Sequence, residues 1–441
     1  MAGAALAHVA GDADALATLL RRVPTDIARA ADHDELLDTV RSALGRVLVA
    51  RPSLGPHLVD DTAAVLWRHL RHDHADVSDE THAPFPVQQD RAVRVCEPEV
   101  ITNPNSAEYR ELFGGIVFVP EAPYHVGEFL PVVEELERAG RRVSILLGPA
   151  PPMRELVVRE LRRYDRRLFD WPEHPVELPE FDAMVVMNDW GPTKELMEIS
   201  QARGVPGIAK VEGVQDFDDV DTGRLRRPYH VAAHVLCQGQ NDLRLVKNAS
   251  THLVGSVRLE AAWLAPPANL SRRDTIVVNS NFSFNVLTEA REPWARSVME
   301  ACGQTGLPYL VSLHRADNGV YPEAVRAAEP LRYLFASTAR IFVSRFSTAL
   351  FEAMAAGIPV VYHNPHGELV PTFSRPEGAF PVTTSTRGLT SALRAALDLD
   401  AVRDQTEAFF RAQVDIDPRA SAAARHAEAI MRLIEHHTAR R

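Results

Sequence analysis

The stretch Ala339–Val361, ARIFVSRFSTALFEAMAAGIPVV, limits the fold of this chain more than any other. A β-branched and aromatic run (Ile341–Ser344) leads through a short loop (345–348) into an apolar helical segment ending at Gly357, then into a second run, IPVVYH. The Ser/Thr pair before the helix, the glycine after it and the proline opening the next strand are ordinary boundary signals. Together they predict one βαβ unit of a parallel sheet. Such a unit puts the loop and the helix N-terminus at the carboxyl edge of the sheet, where open α/β proteins bind ligands. Free backbone N–H groups there, with the positive end of the helix dipole, suit a diphosphate. Ser347 and Thr348 either cap the helix or offer hydroxyls to phosphate, and both readings stand. Glu352 lies among apolar neighbours in LFEAMAAG, too far along to close a capping box. It is either a carboxylate for the two ribose hydroxyls of a nucleotide or a solvated helix glutamate.

The pattern S-x-x-S-T-x-x-x-E-A-x-x-x-G-x-P-V-V, from Ser344 to Val361, resembles the C-domain signature of GT-B-fold sugar-nucleotide enzymes. These include many glycosyltransferases, the CDP-glycerol glycerophosphotransferases and the hydrolysing UDP-N-acetylglucosamine 2-epimerases. The resemblance implies that Ser344, Ser347 and Thr348 belong to the donor's diphosphate site and that Glu352 holds the ribose.

The chain has 441 residues, 46% hydrophobic and 24% charged, enough for two or three domains with sizeable cores. No apolar run approaches the length of a membrane span. The first residues, MAGAALAHVAGDADALATLL, lack a basic n-region and do not read as a secretory signal. Cys96, Cys237 and Cys302 are far apart with no C-x-x-C spacing, which argues against a disulfide framework and against a zinc site. A reducing, cytoplasmic location is expected. A formal net charge of -11 leaves no general basic field for nucleic acid, so an anionic ligand needs a local pocket.

Residues 1–75 carry leucines and valines at helical spacing, punctuated by Pro24, Pro52 and Pro56, and predict a helical extension of about three helices, a surface for a protein partner or for self-association. His69, His72 and His74 with Asp73 and Asp76 invite a metal reading, but a solvated helix end is the expectation. Residues 76–110 read as an irregular connector. From Gly115 the pattern becomes strand, helix, strand: Ile116–Val119, a helix ending at Gly140, and Val143–Leu147. This opens a doubly wound domain over 111–265.

The loop before that first helix holds His125. In the GT-B families this loop faces the interdomain cleft, and several inverting glycosyltransferases place a catalytic histidine on it. The resemblance makes His125 the candidate general base; a helix-start histidine bonded to backbone is the alternative. Further on, the epimerases have a Gly-Asp pair after one strand and V-E-A-G after the next, where this chain has Asn188-Asp189 and Val211-Glu212-Gly213. Asp189 is expected to orient His125 or to cap the helix starting at Pro192. Glu212 is expected to bind the acceptor or to act as an alternative base. The acidic run Asp216, Asp218, Asp219 and Asp221 reads as a solvated loop, and no metal is assigned.

V-G-S-x-R-L-E resembles the interdomain hinge of these enzymes, which places Gly255 and Arg258 near bound phosphate. A second doubly wound domain, 270–441, opens with DTIVVNSNFSFN, continues through a helix over Arg291–Gly303, and reaches LPYLVSLHRADN. His314 and Arg315 close that strand. A histidine near the nucleotide occupies this place in related chains, and Arg315 suits a bidentate phosphate contact. H-R-A-D-N looks like the epimerase H-R-x-E-N but follows the second strand of the domain, and the loop after the first strand, Asn279–Asn285, has no histidine or arginine. That counts against epimerase activity.

The expectation is an α/β chain of GT-B type: two doubly wound Rossmann-like domains facing a cleft, with an N-terminal helical extension. The implied activity is transfer of a sugar or related group from a nucleotide-diphosphate donor to an acceptor hydroxyl, without a cofactor. The alternatives are a nucleotide-sugar epimerase or hydrolase of the same fold, and a catalytically silent scaffold.

Overall fold

A computed structural model describes residues 98–440, except 163, 165, 214–228, 248, 265–272, 283–286, 315, 316, 318, 323, 324, 328–330 and 398–403. The expected helical extension with its histidine cluster, the acidic run Asp216–Asp221 and Arg315 lie outside the described residues.

The first half runs β1 (Val100–Ile101), α1 (Ala107–Leu112), β2 (Ile116–Val119), α2 (Pro123–Arg138), β3 (Val143–Leu146), α3 (Pro151–Leu161) and β4 (Leu168–Phe169). It continues with β5 (Ala183–Val186), α4 (Pro192–Ala202), β6 (Gly207–Lys210), β7 (His234–Cys237), α5 (Gln240–Leu245), β8 (Ser250–Leu253) and α6 (Val257–Leu264). Its strands form one sheet in the order β1-β4-β3-β2-β5-β6-β7-β8, parallel throughout. Within 76–110, read from sequence as irregular, β1 adds a strand beside β4.

The second half runs β9 (Thr275–Ser280), α7 (Arg291–Gly303), β10 (Tyr309–Leu313), α8 (Leu331–Ser337), β11 (Ala339–Ser344), α9 (Ala349–Ala355) and β12 (Val360–His363). Then follow α10 (Pro371–Ser374), β13 (Val382–Thr383), α11 (Thr386–Leu397), α12 (Asp404–Gln413) and α13 (Ala422–Arg440). Its sheet is also parallel, in the order β10-β9-β11-β12-β13. The βαβ unit expected over Ala339–Val361 is β11, α9 and β12.

Both sheets are covered on two faces, as parallel sheets are. In β2, Val117 and Val119 join Met184 and Val186 in one core, while Ile116 and Phe118 join Val185 and Ile208 in another, the period of two that a strand imposes. The second sheet divides the same way: Val277 and Phe342 on one face, Ile276 and Ile341 on the other.

The chain crosses between the halves twice. It leaves the first along α6 and returns along α13, whose Ala427, Ile430 and Leu433 complete the core containing Ile116 and Phe118. Glu260 of α6 ties this return down, accepting from the Ala422 N–H at 2.5 Å and lying 3.1 Å from Arg425. Gly255, expected at the hinge beside phosphate, packs against the returning segment. Its φ is +78°, and a Cβ there would sit 2.5 Å from the Asp415 carbonyl oxygen and 2.6 Å from an Arg425 nitrogen. Among the described residues no helix is long and apolar enough to cross a membrane.

Gly255→Ala therefore meets two penalties, a left-handed backbone and a collision with main chain. Chemical unfolding should show a loss of at least about 2 kcal/mol, since the left-handed conformation alone costs a non-glycine residue roughly 1–2 kcal/mol. An unchanged midpoint would refute the packing described.

Candidate active site at the carboxyl edges of the sheets

Strands β2, β5 and β6 are neighbours, so their carboxyl ends bring Glu121, Asn188-Asp189 and Glu212 to one edge. Pro123 starts α2 almost at once, which leaves Tyr124 and His125 in its first turn. The His125 ring is buried, 1% exposed. Its Nδ1 accepts the Glu121 main-chain N–H at 3.1 Å, and its Nε2 lies 2.9 Å from Glu212 Oε1. With Nδ1 held as acceptor, the proton of the neutral ring sits on Nε2 and points at the carboxylate.

Glu212 is the better exposed partner, its side chain 16% accessible against 2% for His125. Its Oε1 also accepts the Tyr124 hydroxyl, and its Oε2 lies 3.4 Å from the Asn188 amide. Burial opposes its charge, but His125, Tyr124 and Asn188 outweigh that and hold its carboxyl below the usual range. Glu121 goes the other way. Burial and the Glu212 charge push it up to about 7.

Asp189 neither touches His125 nor caps α4, which begins after Gly191 without a side-chain cap. Its two oxygens are buried and accept three main-chain N–H groups, from Tyr229 at 2.8 Å, Val231 at 2.6 Å and Ala232 at 2.9 Å. Those bonds hold Tyr229 at φ +62°, an uncommon conformation for a bulky residue. The Tyr229 hydroxyl accepts the Glu212 main-chain N–H at 3.1 Å. Asp189 thus acts on the site by shaping the loop that fixes the Glu212 backbone.

In the second half, Ser347 Oγ accepts the Ala349 N–H at 3.2 Å, at the entrance to α9. Thr348 occupies the N-cap position of α9. Ser344 faces into the sheet, wholly buried, its hydroxyl donating to the Asn279 carbonyl at 3.3 Å, so we leave it out of the site. The partly buried His314 ends β10, its main-chain N–H bonded to Ser280 at 2.8 Å.

Glu352 is 21% exposed and lies 3.2 Å from Arg258 Nη1. Arg258, in the first turn of α6, reaches back to Glu128 with its Nε at 3.7 Å. Glu128 is buried in α2, 3.1 Å from the equally buried Lys210 and bonded by Ser256 at 3.3 Å. A chain of alternating charges therefore runs from Glu352 through Arg258 and Glu128 to Lys210, two residues before Glu212.

No family model and no curated protein sequence matches the chain. Solved structures do. The UDP-GlcNAc 2-epimerase of Methanocaldococcus jannaschii, in complex with UDP-GlcNAc and UDP, is 12% identical with a TM-score of 0.50, over 72% of this chain and 99% of that one. S. aureus MnaA with UDP is 12% identical with a TM-score of 0.51, over 74% and 97%. The Neisseria meningitidis UDP-GlcNAc 2-epimerase bound to UDP-GlcNAc is 13% identical with a TM-score of 0.50, over 73% and 100%. The chain has the GT-B fold.

In this GT-B chain the sequence reading missed the charged groups behind the site. Glu121 carried a usable signal, an acidic residue directly after a strand end, where α/β ligands bind. Glu128 and Lys210 carried none, because each reads as the polar position of an amphipathic element. Arg345 and Glu368 form a second hidden pair under the loop before α9. They lie 2.7 Å apart with no exposure, and Glu368 also accepts the Phe346 N–H and the Tyr362 hydroxyl.

Two outcomes follow from this geometry. Asp189→Asn puts an amide nitrogen among three buried N–H donors and should cost at least about 2 kcal/mol in urea unfolding, since bonds to a charged acceptor contribute roughly 1.5–3 kcal/mol each. A negligible loss would mean those bonds are unimportant. Glu128, for which burial is outweighed by Lys210 and Arg258, falls from 4.5 to about 2 in the folded chain. Its contribution is complete above pH 4.5 and fades as pH drops toward 2. The amount is roughly 3 kcal/mol at about 1.4 kcal/mol per pH unit. Glu128→Gln should be less stable at neutral pH and lose less between pH 4.5 and 3, as unfolding at each pH would show.

Proposed function

We propose that this protein transfers a sugar or related group from a nucleotide-diphosphate donor to an acceptor hydroxyl. The donor's ribose is assigned to Glu352, its diphosphate to Arg258, Ser347, Thr348 and the start of α9, and the acceptor to Glu212. The observation that carries the reading is Glu212: a partly exposed carboxylate at the sheet edge, kept ionised by three neighbouring donors.

His125 leaves the role of base, because both its nitrogens are engaged. It orients Glu212 and steadies its charge. The acceptor's O–H proton passes to Glu212 as its oxygen bonds the transferred carbon. The bond from that carbon to the diphosphate breaks, its electron pair leaving with the phosphate oxygen, where Arg258 and the N–H groups entering α9 meet the developing charge. The reading assigns no metal or other cofactor. Donor binding redistributes the Arg258–Glu352 pair: the carboxylate turns to ribose hydroxyls and the guanidinium to phosphate.

Calorimetry with UDP, CDP, GDP and ADP tests the donor site. One diphosphate should bind saturably, and Glu352→Ala should weaken it at least about tenfold, or about 1.4 kcal/mol. If none binds, the reading fails and a silent scaffold replaces it. If a donor is altered at the sugar with no acceptor present, the activity is an epimerase or hydrolase.

A further inference from the structure

Glu121 was not singled out by the sequence and is not used by the reaction above, yet it stands in the same constellation. It lies two residues beyond β2, the strand beside β5, and its main-chain N–H fixes the tautomer of His125. The side chain is half-buried. It rests against Gly148 of the loop after β3, its Cγ 3.6 Å from where a Cβ on that glycine would lie.

Among the described residues no cation is ion-paired with it. From α2, His125 Nε2 and the Tyr124 hydroxyl both go to Glu212. Beyond β5, Asp189 is taken up by main-chain N–H groups. Lys210 is paired with Glu128, and Arg258 with Glu352. The loop after β3 brings only the uncharged Gly148. Two carboxyl groups thus share one edge, and among the described residues the His125, Tyr124 and Asn188 donors go to Glu212.

We propose that Glu121 is a second carboxyl group of this reaction centre: as the neutral acid it donates a hydrogen bond to an oxygen of the acceptor, while Glu212 takes the acceptor's proton. The proposal rests on the transfer reading and its placement of the acceptor at Glu212. The opposite displacement of the two groups, Glu121 up to about 7 and Glu212 down, agrees with one proton shared between them. During transfer Glu212 becomes neutral, which removes the charge that kept Glu121 protonated. Glu121 then releases its proton to solvent and takes up the one Glu212 received, so the pair returns to a single proton on Glu121 and one proton has left the site for each acceptor consumed.

Because the neutral form works, activity should fall as pH rises through about 7. The first test needs no substrate. In protein labelled with carboxyl-13C glutamate, NMR titration should show one side chain titrating near 7, absent in Glu121→Gln and moved back toward the ordinary range in Glu212→Gln. The second uses the donor that calorimetry identifies. Glu121→Gln keeps a donor but can neither ionise nor release a proton, so its kcat/KM should fall below wild type at the lower pH and lose the high-pH limb between about pH 6 and 8.5. Glu121→Ala should lose at least about tenfold in kcat with nucleotide affinity unchanged. The proposal falls if no glutamate titrates above about pH 6, or if the Gln variant keeps the wild-type profile. A glutamate titrating near 7 in a protein that binds no nucleoside diphosphate would leave the pair standing and overturn the transfer reading, and with it this role.

Discussion

The buried pair of Glu128 and Lys210, with the partly exposed Arg258 against it, is the interaction on which the rest of the molecule hangs. Taking a carboxylate and an ammonium out of water costs several kcal/mol per ion, and close geometry with further polar bonds is what offsets it. Here Lys210 stands 3.1 Å from Glu128, Ser256 adds a bond, and Arg258 closes the far side. Each member comes from a different element: α2, β6 and the start of α6. The cluster therefore sets the position of the helix that carries His125, the strand that leads to Glu212 and the helix that leaves for the second half. Removing one member strands another charge, which is a far larger disturbance than losing a surface pair.

The same logic organises the two edges. On the first, a carboxylate gathers three donors and stays charged, while burial and that charge push its neighbour Glu121 up to about 7. On the second, a carboxylate meets a guanidinium that belongs to the linker. Glu212 is held by the buried His125, and Glu352 by Arg258 and through it by the buried Glu128. Asp189 extends this inward, since its three main-chain bonds hold Tyr229 in a strained conformation whose hydroxyl anchors the Glu212 backbone.

Most of the scaffold was legible in the sequence, because it depends on local composition. The run around Ile341 and the apolar helix after Thr348 gave β11 and α9, and the spacing from Arg291 to Gly303 gave α7 with the bounds observed. Two-residue strands such as Leu168–Phe169 escaped because they sit in a charged context, RRLFDW, too short for a period to show. The site was half legible. Residues at strand ends, Asp189 and Glu212, were found by position, but the contacts of Asp189 were not, because its partners are remote. His125 and Glu212 are 87 residues apart, and Asp189 serves main-chain groups that side-chain identity does not reveal. Arg258 was placed by resemblance, whereas its partner Glu128 reads as an ordinary helix glutamate.

The return of α13 to the first sheet bears on how the chain is made. Ala427, Ile430 and Leu433 fill the core beside Ile116 and Phe118, on strands that leave the ribosome hundreds of residues earlier. Domains usually fold in the order of synthesis. In this protein the half made first is completed by α13, which follows the whole second half, so the nascent first sheet keeps an apolar face open until α13 has been made. A chain cut short within α13 would damage the half farthest from the cut.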